Sequence, residues 1–311
     1  MIRVLIIIFI SMSLKANLLE RDDVKKFIDL AVEESNLTRE EIIDYIKDAQ
    51  PSPKAVELRS NQPEVKATWD DYRSKRVTDT RILNGVKFIN ENADIFNKVE
   101  KDYGGYLGSF NPLDTIFTRA FDPDSRFWQR ELIELLVLSK RYGLNPKEIK
   151  SSWSGAIGLG QFIPSSYNAY GVDYDYDGYV DLLNSRMDGI ASVANFLKVH
   201  GWNSNQPAAA QVALNEQYSN LNDEQIDELE FPFKINNFRT KVSPDALNEA
   251  GFSVTINQDD DLTPLLFFEE GATKLFIGFD NFRVITKYNR SSKYALSVHQ
   301  LAVAISEKFY E

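Results

Sequence analysis

Cysteine is absent from this chain of 311 residues, and histidine occurs twice, as His200 and His299. Without cysteine the chain can form no disulfide, no thiolate metal site and no lipid-bearing cysteine, so a lipoprotein anchor is excluded. The two histidines lie far apart in sequence and no Gly-x-Ser-x-Gly motif is present, which gives little support to a nucleophilic or metal-dependent hydrolase. Aspartate and glutamate carboxylates are therefore better candidates for catalytic groups than cysteine, histidine or serine.

An excess of basic residues is also absent. Lys and Arg number 35 against 46 Asp and Glu, a net charge of −11. Proteins that bind nucleic acid carry a basic face, so the composition argues against nucleic acid, and against anionic membrane surfaces for the same reason. Aromatic residues make up 12% of the chain. They supply rings on which sugars can stack, although filling the core accounts for most of them.

No hydrophobic run is long enough to span a bilayer comfortably, and one short run lies at the N terminus. Arg3 precedes the apolar residues 4–10, and small residues follow near Ala16. This pattern predicts a secretory signal peptide over residues 1–16, with an uncleaved anchor as the alternative. The mature protein is expected to be exported and soluble.

Glycines cluster in the centre of the chain. Gly155, Gly158 and Gly160 allow a tight turn and a close approach of the backbone to a ligand. Gln161 and Phe162 follow, a hydrogen-bonding amide beside an apolar ring. The next residues are a proline and two serines, which favour the start of a helix. The segment is typical of a ligand-binding turn.

An acidic loop comes directly after this turn. Its alternating aspartates and the glycine at its sixth position have the spacing of an EF-hand-like calcium loop. Position twelve, where a bidentate Glu is usual, is Asn184, and the next carboxylate is Asp188. The alternating carboxylates would repel one another without a cation, so we expect Ca2+ in a structural role, with a solvated acidic turn as the alternative. The loop positions one, three, five, six and seven are Asp173, Asp175, Asp177, Gly178 and Tyr179.

Hydrophobic periodicity predicts a mainly α (α+β) fold. Apolar residues at helical spacing recur through most of the chain, and alternating polarity near the C terminus predicts a small β element. The predicted segments are helices within 22–60 and at 127–142, 187–199 and 294–309, strands at 274–279 and 281–286, and further helix within 203–250.

Glu100 is the leading candidate for a catalytic acid. It lies in Val99-Glu-Lys-Asp-Tyr-Gly104, at the end of a predicted helix. Phe96 and Tyr103 could form an apolar wall that raises its pKa, as in a glycosidase acid. A surface glutamate between lysines is the alternative, and Glu131 and Glu134 are interpreted as structural.

The segment 281–294 is dense in side chains that recognise sugars. Tyr288 and Tyr294 can stack on sugar rings, while Asn289 and Arg290 can hydrogen-bond to hydroxyls and acetamides. A strand end followed by a helix cap would use the same residue types, so the segment alone leaves both interpretations open.

Taken in order, these motifs resemble the membrane-bound lytic murein transglycosylase B family. That resemblance implies a largely helical, lysozyme-like fold with a calcium loop, acting on peptidoglycan between N-acetylmuramic acid and N-acetylglucosamine. One Glu would act first as acid and then as base, forming a 1,6-anhydro ring without water. The matching segments are 154–167, 172–178, 192–195 with 200–202, 281–291 and, more weakly, 69–73 and 81–88.

The resemblance also implies roles for individual residues. It makes Glu100 catalytic, and it implies peptidoglycan strands and cell-wall synthesis proteins as partners of a periplasmic monomer. The expected regions are a signal peptide (1–16), an N-terminal helical region (17–80) and a transglycosylase domain (81–311) with the calcium loop 173–188. The implied substrate-binding residues are Ser152, Gln161, Phe162, Tyr288, Asn289 and Tyr294. The implied calcium ligands are Asp173, Asp175, Asp177, the Tyr179 carbonyl and Asp188.

Two features depart from the family pattern. The calcium loop is one residue longer before Asp188. The catalytic segment departs more seriously. The family has a helix ending in Tyr-Gly and then a second helix that carries the catalytic Glu, whereas this chain has one such segment, ending at Gly104. About seventeen residues, or four to five helical turns, are missing by this comparison. Either Glu100 has taken the catalytic position or the chain is a peptidoglycan-binding pseudoenzyme.

Overall fold

A computed structural model of the chain describes residues 18–92, 108–123, 125–255 and 261–311. The predicted signal peptide and Glu100 lie outside the described residues. Contacts divide the chain into two compact units, residues 1–61 with 101–195 and residues 62–100 with 196–311. The predicted region boundaries stay a prediction. Within the described ranges, no helix is both long and apolar enough to cross a membrane.

Helices make up most of the described chain, with one small sheet. In chain order the elements are α1 (Asp22–Glu34), α2 (Arg39–Ile46), α3 (Pro53–Ser60), α4 (Pro63–Lys66), α5 (Trp69–Ser74), α6 (Asp79–Asn92), α7 (Pro112–Phe121), α8 (Arg126–Tyr142), α9 (Pro164–Tyr170), α10 (Arg186–Val199), β1 (Ala209–Val212), α11 (Asp223–Asp227), α12 (Pro244–Glu249), β2 (Thr263–Glu269), β3 (Ala272–Gly278), α13 (Asp280–Tyr288) and α14 (Ser292–Tyr310).

The core of the first unit lies among α1, α2, α7 and α8. Phe27 of α1 is 1% exposed and meets the ring of Phe121 edge-on, with centroids 5.6 Å apart. Helix α2 begins with a capping box, in which Thr38 and Glu41 each accept a backbone hydrogen bond from the other. Helix α8 ends at Gly143, whose φ of 62° suits glycine. The capping box and Gly143 thus determine where α2 begins and where α8 ends.

The second unit contains a three-stranded antiparallel sheet in the order β1-β3-β2. Strands β2 and β3 form a hairpin in which Leu265 pairs with Phe276. Its turn, Glu270-Gly271, has φ values of 53° and 84°, as a two-residue turn with both central residues left-handed requires. The strand predicted at 274–279 is confirmed, and with it the mainly α fold with a small β element.

One prediction of local structure was wrong, and another was only partly right. Residues 281–286 are not a strand but part of helix α13. Phe282, Val284 and Thr286 are buried at alternate positions, as in a strand, while Phe282 and Ile285 stand three residues apart and face the same core, as in a helix. Over so short a segment the two spacings cannot be told apart. The region 203–250 is largely irregular, with β1, one 3-10 turn and the short helices α11 and α12.

Trp69 anchors the N-terminal helices of the second unit to its sheet. The indole is fully buried and stacks on Phe267 of β2, with centroids 4.9 Å apart. Its Nε1 donates to Glu269 Oε2 at 2.6 Å, and Lys274 donates to the other oxygen of Glu269 at 2.8 Å. Gln300 of α14 donates to Glu269 at 3.0 Å. One buried carboxylate thus joins α5, the hairpin and α14.

Candidate functional site

Paired backbone hydrogen bonds hold the glycine loop, which we define as residues 151–162. Ser151 N donates to Phe110 O at 2.8 Å, and Phe110 N donates back at 3.2 Å. Ile157 N donates to Phe162 O at 2.8 Å, and Phe162 N donates back at 3.0 Å. These bridges satisfy backbone groups that the unit buries. The loop is therefore a defined element of the first unit.

Two glycines allow the loop to pack closely. Gly155 has a φ of 83°, and a Cβ there would lie 2.4 Å from Cγ1 of Ile116. Gly158 has a φ of 73°, and a Cβ there would lie 2.4 Å from the carbonyl oxygen of Leu182. Both the left-handed backbone and the lack of space exclude a larger residue. Packing within the first unit thus dictates this glycine spacing.

Ser152 and Gln161, two predicted substrate-binding residues, are half-buried and shape this loop. Ser152 Oγ accepts from Ser154 N at 3.2 Å and from Ala156 N at 3.1 Å. Gln161 has a φ of 51°, which is uncommon for a residue with a Cβ, and its Nε2 donates to Gly158 O at 3.0 Å. Such backbone conformations concentrate at functional sites.

Phe162, the third predicted substrate-binding residue of this unit, has a different environment. Its side chain is 2% exposed, so the ring belongs to the core. Phe162 stabilises the loop through its backbone, which forms a β-bridge with Ile157. A direct contact between this ring and a sugar stays a prediction.

Glu131 fixes the helix that follows the loop. Its carboxylate is 3% exposed and accepts from Ser165 N at 3.0 Å and from Ser165 Oγ at 2.6 Å. Burial raises the pKa of Glu131, although both bonds from Ser165 act in the opposite direction. Glu134, one turn later, accepts from Asn168 Nδ2 at 2.7 Å. These contacts support the structural interpretation of both glutamates.

The acidic loop brings three carboxylates together. One oxygen from each of Asp173, Asp175 and Asp188 lies within 4.8 Å of the others. Asp188 is fully buried, and its oxygens accept from Tyr174 N and Asp181 N, both at 2.8 Å. The cluster offers the hard oxygen ligands that Ca2+ prefers.

The electrostatics of Asp188 suit a cation. Burial is the largest influence that raises its pKa, with Asp175 and Asp173 adding to it, while the two backbone donors lower it. The remaining predicted ligands lie outside this group of three. Asp177 Oδ1 accepts from Tyr179 N at 2.8 Å, and Tyr179 stacks edge-on against Tyr142, with centroids 4.7 Å apart.

Tyr288, Asn289 and Tyr294, the predicted substrate-binding residues of the second unit, lie where α13 ends and α14 begins. The Tyr288 ring meets Phe196 edge-on, with centroids 5.0 Å apart. Asn289 N donates to Ile285 O at 3.3 Å, which ends α13. All three side chains are half-buried. A half-buried aromatic ring can stack on a sugar.

No sequence motif indicated a charged pair beside Tyr294. Arg76 lies 3.5 Å from Glu64, and its guanidinium carbon is 3.4 Å from the ring centroid of Tyr72. The Tyr72 hydroxyl donates to Glu64 at 3.0 Å. Burial raises the pKa of Tyr294, while Arg76 lowers it and Glu64 raises it. Glu64 precedes and Arg76 follows the 69–73 match, and neither residue had a motif of its own.

The sequence and the fold both match known proteins. A family model described as a transglycosylase SLT domain matches residues 20–303. The chain is 30% identical over 316 residues to membrane-bound lytic murein transglycosylase B of Escherichia coli (strain K12), covering 91% of this chain and 82% of that protein.

Two solved structures extend the likeness. The lytic transglycosylase SLT35 of Escherichia coli, in complex with calcium, superposes with a TM-score of 0.75 at 28% identity, covering 93% of this chain and 94% of that one. SltB3 from Pseudomonas aeruginosa, in complex with NAG-anhNAM-pentapeptide, superposes with a TM-score of 0.68 at 25% identity, covering 91% and 78%.

Proposed function

The chain belongs to the transglycosylase SLT domain family, and on this basis we propose that it cleaves peptidoglycan between N-acetylmuramic acid and N-acetylglucosamine. The family match across residues 20–303 carries the proposal. The lysozyme-like fold shared with SLT35 agrees with it. The NAG-anhNAM-pentapeptide bound to SltB3 supports a glycan strand with attached peptides as the substrate.

In the proposed reaction one glutamate acts first as acid and then as base. Glu100, assigned by its place in the 99–104 segment, donates its proton to the glycosidic oxygen as the C1–O4 bond breaks. The resulting carboxylate accepts the proton of the muramoyl C6 hydroxyl while O6 bonds to C1. The product is a 1,6-anhydro ring and no water is consumed, so a single catalytic carboxylate suffices.

The substrate-binding residues predicted from the sequence are proposed to contact the glycan. The loop geometry of the first unit supports Ser152 and Gln161, whose polar atoms lie in a constrained turn. The half-buried rings of the second unit support a stacking role. The full proposed set is Ser152, Gln161, Phe162, Tyr288, Asn289 and Tyr294.

Calcium is proposed to stabilise the acidic loop rather than take part in the reaction. Asp173, Asp175 and Asp188 would supply carboxylate oxygens, as their mutual distances within 4.8 Å suggest. The Asp177 carboxylate and the Tyr179 carbonyl complete the proposed ligand set. The calcium complex of SLT35 supports this choice of ion.

Location and partners follow from the substrate. We propose that residues 1–16 direct export to the periplasm, where a monomer acts on peptidoglycan strands. Cell-wall synthesis proteins are the proposed protein partners. Nucleic acid is not a proposed ligand, because the chain carries a net charge of −11.

Digestion of purified peptidoglycan tests the proposal. The mature chain with calcium present should release 1,6-anhydromuropeptides, detected by mass spectrometry. Glu100→Gln should abolish these products while leaving peptidoglycan binding intact, because the amide cannot transfer the proton. Glu33→Gln, at an exposed position of α1, is the matched control and should cleave normally.

A second candidate function is a peptidoglycan-binding pseudoenzyme. The observation that favours it is the single Tyr-Gly segment at residues 103–104, where the family pattern has two. A folded protein that sediments with peptidoglycan but releases no anhydro product would establish this candidate. Anhydro products that depend on Glu100 would rule it out.

A further inference from the structure

Arg119, on helix α7 of the first unit, is a half-buried cation that the proposed reaction does not use. Its guanidinium carbon lies 3.9 Å from the ring centroid of Trp128 and 5.4 Å from that of Trp153. Cation–π contacts of this kind offset part of the cost of burying a charge. They provide no hydrogen-bond acceptor, so the donors of the guanidinium need another partner.

Two of those donors are unsatisfied. Nε and Nη1 of Arg119 are buried, and neither finds an acceptor among the described residues. No ion pair joins Arg119 to a described carboxylate. Buried donors that remain unpaired cost free energy, and more when they carry charge. The site therefore has the chemistry of an incomplete ion pair.

A second cation near Arg119 adds to the need for a negatively charged partner. Burial lowers the pKa of Arg119 to about 10, and the positive charge of Arg59 also lowers it. Arg59 Nη1 donates to the backbone oxygen of Asp122 at 3.2 Å, which holds the second cation nearby. Two cations without a described counter-ion favour an anion between or beside them.

The site adjoins the glycine loop within the same unit. Trp153 directly follows Ser152, a predicted substrate-binding residue. The loop rests on α7, since a Cβ on Gly155 would meet Ile116 at 2.4 Å. Arg119 comes three residues after Ile116 on that helix, on the neighbouring turn. A ligand at Ser152 would thus have attached groups within reach of the guanidinium.

We propose that Arg119, between Trp128 and Trp153, binds a carboxylate of the peptide attached to N-acetylmuramic acid. The inference rests on the proposed function, because it takes the glycan strand to lie along the glycine loop. A peptide stem carries carboxylates at its terminus and on its acidic residues. Charge-assisted hydrogen bonds from an arginine are the usual means of holding such groups.

The unliganded protein offers a first test. Replacing a cation whose buried donors are unpaired by an apolar side chain of similar length should leave the protein as stable or make it more stable. Arg119→Met should therefore keep or raise the melting temperature. A fall of several degrees would mean that Arg119 already has a counter-ion in the chain, for example Asp124, which lies outside the described residues. That result would overturn the proposal.

Calorimetric binding gives the second test. The probe is a GlcNAc–MurNAc-pentapeptide, which has no bond that the proposed reaction cleaves, in one form with free carboxylates and in another with amidated ones. Wild type should bind the free form about 10- to 100-fold more tightly, the range for hydrogen bonds to a charged group. Arg119→Met should bind both forms equally, and Arg119→Lys should fall between.

Two controls separate the possible failures. Arg130→Met, which removes an exposed cation of α8, should preserve the preference for free carboxylates. A peptide-free N-acetylglucosamine tetramer should bind wild type and Arg119→Met alike. Equal affinity of wild type for both pentapeptide forms would overturn this inference alone. Failure of wild type to bind any of these glycans would overturn the proposed function and this inference with it.

Discussion

Glu131 is a buried carboxylate whose value to the fold depends on pH. Its folded pKa is raised above the ordinary 4.5, mainly by burial. The folded state therefore holds the proton more tightly than the unfolded state. Stability from this group is present below pH 4.5 and is lost as the pH rises through the folded pKa.

Glu131→Gln removes this ionisation and can still pair with Ser165. We expect its melting temperature relative to wild type to rise between pH 4.5 and pH 7. Glu131→Ala is the contrast, because it leaves Ser165 N unpaired and should cost about 1–3 kcal/mol throughout. Thermal melts at several pH values measure both. A pH-independent gap for Glu131→Gln would contradict the argument.

Glu269 is buried too, but its pKa shifts in the opposite direction. Burial alone would raise the pKa of Glu269, yet hydrogen bonds from Lys274, Gln300 and Trp69 outweigh it and hold the pKa below the ordinary 4.5. The stability it contributes is thus present above pH 4.5 and is lost as the pH falls through the folded pKa.

Glu269→Gln should destabilise the protein by about 3 kcal/mol at pH 7, because it leaves Lys274 and Arg73 without their buried partner. Denaturant unfolding measures the difference, which should shrink below pH 4.5. Glu270→Gln, at the next residue but exposed, is the matched control and should cost less than 1 kcal/mol. Equal losses for the two variants would exclude the network as a source of stability.

Among the elements, the acidic loop gives the clearest prediction. A cation that binds the folded loop alone stabilises the protein by about 2.7 kcal/mol at one hundred times its dissociation constant. Ca2+ should therefore raise the melting temperature, and Asp175→Asn should reduce the rise, since Asp175 is one of the three clustered carboxylates. Differential scanning fluorimetry with Ca2+ and with chelator measures this.

The control for this measurement is Asp245→Asn, at an exposed position of α12. It should show the same calcium-dependent rise as wild type. If Asp175→Asn also retained the full rise, the three carboxylates would not form the calcium site.

Sequence reasoning succeeded at elements whose pattern is long. Helix α8 shows several turns of apolar periodicity and a glycine stop, so its bounds could be predicted closely. Helix α13 is short, and its buried residues mimic alternation, so it was predicted as a strand. Over a few residues the two periods overlap, and only the packing partners decide between them.

At the scale of the whole molecule, the net charge of −11 should oppose association with a substrate rich in carboxylates. The Debye length falls from about 30 Å at 0.01 M salt to about 8 Å at 0.15 M. The fraction of protein that sediments with peptidoglycan should therefore increase over this range at constant Ca2+. A decrease of this fraction with salt would show that local attraction between the protein and peptidoglycan outweighs the long-range repulsion of their net charges.

Contacts between residues that lie far apart in the chain could not be predicted from the sequence. The glycine loop and the acidic loop were found because their residues are close in sequence and their spacing is dictated by local geometry. The hydrogen bond from Trp69 to Glu269 joins residues 200 apart in sequence, and no local sequence pattern predicts it. Arg119 likewise gave no signal, because its significance lies in the indoles around it and in the acceptors that the described residues do not supply.

The distribution of tryptophan makes each unit optically distinguishable. Trp128 and Trp153 belong to the first unit, and Trp69 and Trp202 to the second. Trp69 is fully buried whereas Trp202 is 37% exposed, so their emission should differ in wavelength. A chain that retains tryptophan in one unit alone would report the unfolding of that unit by fluorescence, without any added label.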